Sequence, residues 1–353
     1  MEVLKPPILR IGNRCYRKNP VLHQDLNTAE EEFSDQLDCG WNDETCDMDT
    51  NVEETDNGFL VRLEYPSVYF KFVIGKKGET RRRLENETRT QIRIPRQGQE
   101  GEIVIIGHDR KGVLSAKTRV EVLVDSARQK QQFTHFLSFP VIGENVKQGF
   151  SDFKADVLRE CDGDRGLDST IFQNPDKLHL TIGTLVLLND AEIRRAKELL
   201  HQCKEELVDS ILGGEPLMGH FQGLEYMNDD PGEVDVLYAK VELEDDSDRF
   251  QILADRLADK FVSSNLMQKD YDRVKLHVTV MNTLFRKDPS GTTVAKVHRE
   301  PIRDRESFDA SNILKKFGNF KFGVHHIGEL HISQRYSSSS QGYYASAATL
   351  RLP

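Results

Sequence analysis

The chain has 353 residues, 37% of them hydrophobic and 30% charged, with a formal net charge of −10. That length accommodates two domains with cores of their own. No apolar run approaches the roughly 20 residues of a membrane span, so membrane association is not expected. The start, Met-Glu-Val-Leu-Lys-Pro-Pro, lacks the apolar core of a secretory signal. Cys15, Cys39, Cys46, Cys161 and Cys203 are odd in number and include no CxxC pair, which points to reduced thiols and away from a disulfide framework or a metal site.

Residues 1–20 interleave Arg10, Arg14, Arg17 and Lys18 with Ile8, Leu9, Ile11 and Tyr16. Residues 25–56 hold 13 acidic side chains and no Lys or Arg. So few core-forming residues cannot offset the entropy of ordering, and residues 1–56 are expected to be a disordered acidic segment. The basic, aliphatic stretch at its start has the composition of a docking peptide for another protein. A frayed terminus without a partner is the alternative. Over residues 59–130 the balance reverses to 16 basic against 9 acidic, the footprint of a nucleic-acid face or simply of solvated helices.

A first domain is expected over residues 57–130. Its elements are a strand at 59–65 ended by Pro66, a helical segment at 67–74, the loop Gly75-Lys76-Lys77-Gly78, and a helix at 79–88 carrying Arg81, Arg82 and Arg83. Strands at 91–95 and 102–107 follow, and then a long helix at 113–130. This order, with the run from Val73 to Thr80 and with Leu84, Thr88, Ile92 and Ile94-Pro95, resembles a type I KH domain. Glycines let a backbone approach a phosphate closely, and the next helix N-terminus offers free N–H groups and a positive dipole end. The resemblance implies single-stranded RNA, or single-stranded DNA, held by Gly75, Lys76, Lys77, Gly78, Arg81 and Arg82. A KH-like module used only for packing or protein contacts is the alternative. Two departures stand out: Arg89 occupies the position where the family has a Gly ending the second helix, and Lys71 and Phe72 are bulky before the loop.

Residues 131–353 read as a long α+β region. Strands are expected at 133–142, 177–188, 219–226, 234–242, 274–284, 320–333 and 343–352. Helices are expected at 146–159, after Asn189 with Glu192 at capping-box spacing, at 247–262 and at 308–317. Residues 289–306 read as a polar loop. Strand, helix, strand, helix is answered by strand, helix, strand, an internal duplication of about 100 residues.

The duplication carries chemistry. Lys177-Leu178-His179-Leu180-Thr181-Ile182 recurs as Lys275-Leu276-His277-Val278-Thr279-Val280, with 98 residues between the histidines. Positions i and i+2 of a strand share a face, so His179 lies beside Thr181 and His277 beside Thr279. Imidazole, with an ordinary pKa near 6.5, can take a proton from an attacking oxygen or give one to a leaving oxygen. The two threonine hydroxyls can donate to phosphate oxygens as charge develops. Which imidazole is acid and which is base stays open. Leu330-His331-Ile332-Ser333 is a third match without the preceding Lys or the following aliphatic, and reads as structural or supporting. His220, His298, His325 and His326 read as surface residues. Tyr343 and Tyr344, after a flexible glycine turn, offer a ring for base stacking. Their opposite faces admit only one of them, and cross-strand packing is the alternative.

Paired H-x-T strands of this kind resemble the two-histidine phosphoesterases, in the branch that includes the phosphoesterase-like domain of an A-kinase anchor protein. The resemblance implies a bilobal, pseudo-two-fold fold whose two His strands line one cleft, and acid–base hydrolysis without metal or other cofactor. It also implies nuclear residence and membership of a transcription coactivator complex linked to DNA alkylation repair, whose helicase subunit binds the N-terminal segment. The expected activity is a phosphodiesterase on RNA ends, cyclic phosphates or short oligonucleotides. The alternative is a catalytically silent RNA- or nucleotide-binding scaffold that recruits the helicase.

Overall fold

A computed structural model describes residues 8–11, 14–17, 52–56, 58–96, 99–227, 229–245, 247–268, 272–286 and 306–353. The chain divides into two units, Met1–Gln132 and Phe133–Pro353.

In the first unit, β1 (Ile8–Ile11) and β2 (Arg14–Arg17) form an antiparallel hairpin, with Ile8 opposite Arg17 and Ile11 opposite Arg14. Near the other end of the supposedly disordered segment, β3 (Glu53–Thr55) pairs with β4 (Gly58–Glu64). Val52, only 8% exposed, anchors it. The expectation of disorder through residue 56 is therefore corrected at both places, because pairing satisfies backbone groups whatever the charge of the side chains. Residues 18–51, with most of the acidic run, lie outside the described residues.

Next come α1 (Phe70–Ile74), α2 (Glu79–Thr88), β5 (Thr90–Arg93), β6 (Glu102–Gly107) and α3 (Arg110–Arg128). The sheet is antiparallel, in the order β3-β4-β6-β5. Val61, Ile103 and Ile105 from the sheet and Val113, Ala116 and Val120 from α3 are fully buried. Helix α3 starts three residues before the expected position, because the Asp109 carboxylate caps it by accepting from the Gly112 N–H at 3.2 Å.

The second unit contains β7 (His135–Pro140), α4 (Glu144–Glu160), β8 (His179–Leu185) and α5 (Asp190–Cys203), which runs on through a π turn into α6 (Asp209–Leu212). Then follow β9 (Met218–Tyr226), β10 (Val236–Leu243), α7 (Arg249–Ser263), β11 (His277–Asn282), α8 (Ser311–Phe317), β12 (Lys321–His326), β13 (Glu329–Gln334) and β14 (Ser346–Arg351). The Asn189 side chain accepts from the Glu192 N–H and the Glu192 carboxylate accepts from the Leu188 N–H, both at 2.9 Å, so a reciprocal cap starts α5.

All pairings in the eight-stranded sheet, β12-β9-β10-β11-β8-β7-β13-β14, are antiparallel. The two His strands, β8 and β11, are its central pair, with three strands outside each. The halves repeat: β7, α4 and β8 are answered by β10, α7 and β11. Both His strands bulge at the same place: Ile182 of β8 falls between the partners of Leu137 and Ser138, and Val280 of β11 between the partners of Leu237 and Tyr238. One face of the sheet packs Phe139, Leu180, Val278 and Ala239 into the core with Phe150 and Phe153 of α4 and Phe250 and Leu253 of α7.

The strand expected at 320–333 is two strands. Ile327 and Gly328 separate them, and the Ile327 N–H donates to the Leu217 carbonyl at 2.8 Å. β12 and β13 lie six positions apart in the sheet order, about 29 Å at 4.8 Å per strand. The link from His326 to Glu329 reaches only about 10 Å. The sheet must therefore curl until β12 approaches β13. His325 reflects this closure: its ring packs on Gly143 and hydrogen-bonds the Pro140 carbonyl at the end of β7. It is half-buried, not the surface residue expected, as is His220, whose Nε2 is buried without a partner. His298 and the loop segment 287–305 lie outside the described residues. Among the described residues no helix is long and apolar enough to cross a membrane.

One strained residue yields a test. Arg89 ends α2 in the left-handed conformation, φ 52° and ψ 43°, with its N–H on the Glu85 carbonyl. A side chain there costs about 1–2 kcal/mol, which glycine avoids. Glycine loosens the unfolded chain by somewhat less. Arg89→Gly is expected to raise the urea midpoint at unchanged slope, a net gain of about 1 kcal/mol. An unchanged or lower midpoint would show that the Arg89 side chain offsets its backbone strain.

Candidate active site

β8 and β11 meet at one backbone pair, Leu180 opposite Val278. Both of these side chains are buried, whereas His179, Thr181, His277 and Thr279 are half-buried on the opposite face. Counting outward in antiparallel register places His179 level with Thr279 and Thr181 level with His277. Each imidazole is thus set beside the hydroxyl of the other copy. Beyond the crossing the strands part. Leu185 of β8 bridges to Met267, in the approach to β11, and Met281 of β11 bridges to Phe172, in the approach to β8. Among the described residues neither the Thr181 nor the Thr279 hydroxyl has an intramolecular hydrogen-bond partner.

The Lys-x-His spacing has a backbone purpose. His179 Nδ1 lies 2.7 Å from the Lys177 carbonyl, and His277 Nδ1 lies 2.6 Å from the Lys275 carbonyl. A carbonyl only accepts, so each Nδ1 carries the proton and donates it. Each Nε2 is left to take up or release a proton.

The lysine side chains complete two matching clusters. Lys177 Nζ sits 4.9 Å over the Tyr344 ring, whose edge meets His179 at 5.5 Å between centroids. Lys275 Nζ sits 4.6 Å over the Tyr238 ring, which meets His277 at 5.0 Å. Lys177 is only 5% exposed and also donates to the Ser337 carbonyl at 3.3 Å. Phe136 adds a third ring on the His179 side, at 5.0 Å. Tyr238 and Phe136 have no local signal in the sequence; only strand register brings them to the imidazoles.

Desolvation is the main influence on both histidines. Burial, reinforced by the charge of His277 and opposed by the Lys177 carbonyl, lowers the His179 pKa to about 4. His277 is lowered too, first by burial and further by Lys275, against the pull of the Lys275 carbonyl. Although each ring keeps some exposed surface, the aromatic neighbours and the other imidazole penalise charge. At neutral pH both imidazoles are neutral.

Of the two candidate stacking rings, Tyr344 lies at the site and Tyr343 does not. Tyr343 is exposed to only 4%, and its hydroxyl lies 3.3 Å from Ser138 Oγ, which is 3.2 Å from Ser333 Oγ. Its availability for stacking is corrected: it packs against His331 at 5.7 Å and supports Tyr344 at 5.3 Å. Burial pushes the Tyr344 phenol up to about 12. The third motif thus supplies Ser333 to a buried polar cluster, while His331 Nε2 pairs with Glu329 at 2.8 Å. Among the described residues no three His, Cys, Asp or Glu side chains are grouped to hold a metal.

In the first unit the loop at Gly75–Gly78 is built from left-handed backbone, with φ of 71° at Gly75, 52° at Lys77 and 80° at Gly78. A Cβ on Gly75 would collide with Thr80, so glycine is required there. Lys76, Lys77 and Arg82 are exposed, whereas Arg81 is half-buried with Nε 3.8 Å from Glu85.

Comparison with known proteins agrees with this architecture. Residues 133–352 match the AKAP7 2'5' RNA ligase-like domain family and residues 60–122 match the KH domain family, which supports single-stranded nucleic-acid binding. Mouse "Activating signal cointegrator 1 complex subunit 1" is 48% identical over 98% of this chain and 98% of its own length. An uncharacterized protein of Schizosaccharomyces pombe is 25% identical over 55% of this chain and 88% of its own. The first KH type I domain of human vigilin is 26% identical, covering 25% of this chain and 95% of its own, with a TM-score of 0.21. The chain belongs to the activating signal cointegrator 1 complex subunit 1 family, a KH domain followed by an AKAP7 2'5' RNA ligase-like phosphoesterase domain.

Proposed function

We propose that the second unit is a metal-independent phosphodiesterase acting on RNA ends, cyclic phosphates or short oligonucleotides, and that the KH domain holds the single strand. The observation that carries this reading is the matched pair of imidazoles on one sheet face, each with Nδ1–H committed to a lysine carbonyl and Nε2 open. A phosphodiester between them meets a neutral imidazole that takes the proton of the attacking oxygen and a protonated one that gives its proton to the leaving oxygen. Thr181 and Thr279 donate to the non-bridging oxygens as charge builds. The more strongly depressed His179 suits the base and His277 the acid. An anionic phosphate favours the protonated imidazole that burial disfavours. Tyr344 lies where a base can meet an aromatic edge beside His179.

The relative's name describes a complex subunit. Together with the basic, aliphatic start of the chain, it supports a role as a subunit of a nuclear signal cointegrator complex, with a helicase subunit held by residues 1–20. Deleting those residues is expected to remove the helicase from the chain's immunoprecipitate; equal recovery would withdraw that assignment.

Replacing His179 or His277 by Ala is expected to lower turnover of an RNA oligonucleotide or a cyclic phosphate in EDTA by about 10²–10⁴-fold. Unchanged turnover in either variant would falsify the acid–base assignment. The active dyad holds one proton, so kcat/KM should rise as pH climbs through about 4, where His179 becomes neutral. It should fall as pH rises through the His277 pKa, which lies below 6.5. A profile flat through that window would contradict the roles given. Lys76→Asp with Lys77→Asp is expected to weaken RNA binding and to flatten the plot of log affinity against log salt by about 0.7 per lost phosphate contact. No change in either quantity would remove the loop from the RNA interface.

A further inference from the structure

The duplicated halves differ around their histidines. At matching places in the register, β7 sets Ser138 beside Thr181 and Pro140 beside His179. β10 instead sets Tyr238 beside Thr279 and Lys240 beside His277. One strand further out, β9 sets Glu225 opposite Tyr238 and Gln222 opposite Lys240. Directly paired residues share a face, so Glu225 and Lys240 lie on the face of the sheet that carries the imidazoles.

Glu225 is held and still open. The Tyr238 hydroxyl donates to Glu225 Oε2 at 2.8 Å. Tyr238 itself is only 1% exposed, with its ring against His277 and beneath the Lys275 ammonium, so it fixes the carboxylate at a set distance from the dyad. Lys240 is also guided. Gly223 in β9 has φ +77°, and the Lys240 stem passes 2.8 Å from where its Cβ would be. The Lys240 ammonium ends 3.9 Å from Glu225 Oε1, with the two side chains 44% and 50% exposed. That separation exceeds a hydrogen bond, so a carboxylate oxygen and an ammonium stay available side by side. Both sit about 5–10 Å from β11 across the sheet, one and two strand spacings. This is the reach of a nucleoside whose phosphate lies at His277.

We propose that Glu225 and Lys240 form a base-reading subsite for guanine on the His277 side of the cleft, a proposal that rests on the phosphodiesterase reading above. Guanine presents, in a row, the O6 acceptor, the N1–H donor and the 2-amino donor. The ammonium donates to O6, and the carboxylate, with lone pairs beyond the one the Tyr238 hydroxyl uses, accepts from N1–H and the 2-amino group. Uracil places a carbonyl on each side of its single N–H and so sets an oxygen against the carboxylate. Adenine and cytosine offer one amino donor beside a ring acceptor and lack the second adjacent donor.

The test measures binding and turnover separately on the full chain in EDTA. The ligands are the 3'- and 5'-monophosphates of guanosine, inosine and uridine, titrated by calorimetry. The titration is repeated on the Lys76→Asp, Lys77→Asp chain so that the KH loop does not contribute. Turnover is followed with the 2',3'-cyclic phosphates of the same nucleosides. Guanosine is expected to bind about tenfold or more tightly than uridine, with inosine, which lacks the 2-amino group, in between. Glu225→Gln is expected to bring the guanosine-to-uridine ratio close to one, and Tyr238→Phe, which frees the carboxylate, to reduce it part-way. Because the ligand series needs no mutation, a misfolded variant cannot mimic the result. Equal affinities, no measurable binding, or a ratio unmoved by Glu225→Gln overturn the subsite. Guanosine-selective binding without turnover of any cyclic phosphate leaves the subsite and removes the enzymatic reading. Turnover indifferent to the base, together with equal affinities, does the reverse.

Discussion

The cleft depends on a single backbone pairing, Leu180 opposite Val278. The two central strands touch there and then diverge, each taking its next bridge from the segment that leads into the other. Side chains alternate, so this pair buries two aliphatics against the helices and turns two imidazoles and two hydroxyls to the opposite face. A slip of either strand by one residue would send its histidine into the core and expose its aliphatics. The hydrophobic cost of that slip fixes the direction in which each imidazole and hydroxyl points. The closing link at Ile327 and Gly328 acts on the same structure from outside, by holding the sheet curled.

Burial around the imidazoles works in two directions. Rings of Phe136, Tyr344 and Tyr238 exclude water and penalise a charged imidazole, while each lysine carbonyl orients its ring and favours protonation. The lysine ammonium groups add positive potential at the same place. Burial of this kind disfavours protonated histidine, whereas a neighbouring anion would favour it. In the KH unit the positive loop uses different means, left-handed backbone at Gly75, Lys77 and Gly78 with exposed lysines.

The halves of the second unit share a backbone plan down to the position of their bulges, yet their surroundings have diverged. On the His179 side the neighbours are aromatic, backed by the buried cluster of Ser138, Ser333 and Tyr343. On the His277 side they are charged, with Glu225, Lys240 and Lys275. Duplication preserves the backbone geometry around the two imidazoles, and substitution on the flanking strands gives each of them different neighbours.

Local order was legible in the sequence. The H-x-T repeat, the Gly-x-x-Gly loop between helices, the Asn189 cap and most element positions depend on period, spacing and turn chemistry within a few residues, which the chain states directly. Even the left-handed end of α2 showed itself as Arg89 in a glycine position. Register between distant strands is not written locally. The tertiary structure alone divided residues 320–333 between β12 and β13, buried Tyr343 while bringing Tyr344 to His179, and set Tyr238 beside His277 with Glu225 one strand further out. Those outcomes follow from which backbones pair across tens to hundreds of residues and from the curl that lets a two-residue link join distant positions of one sheet.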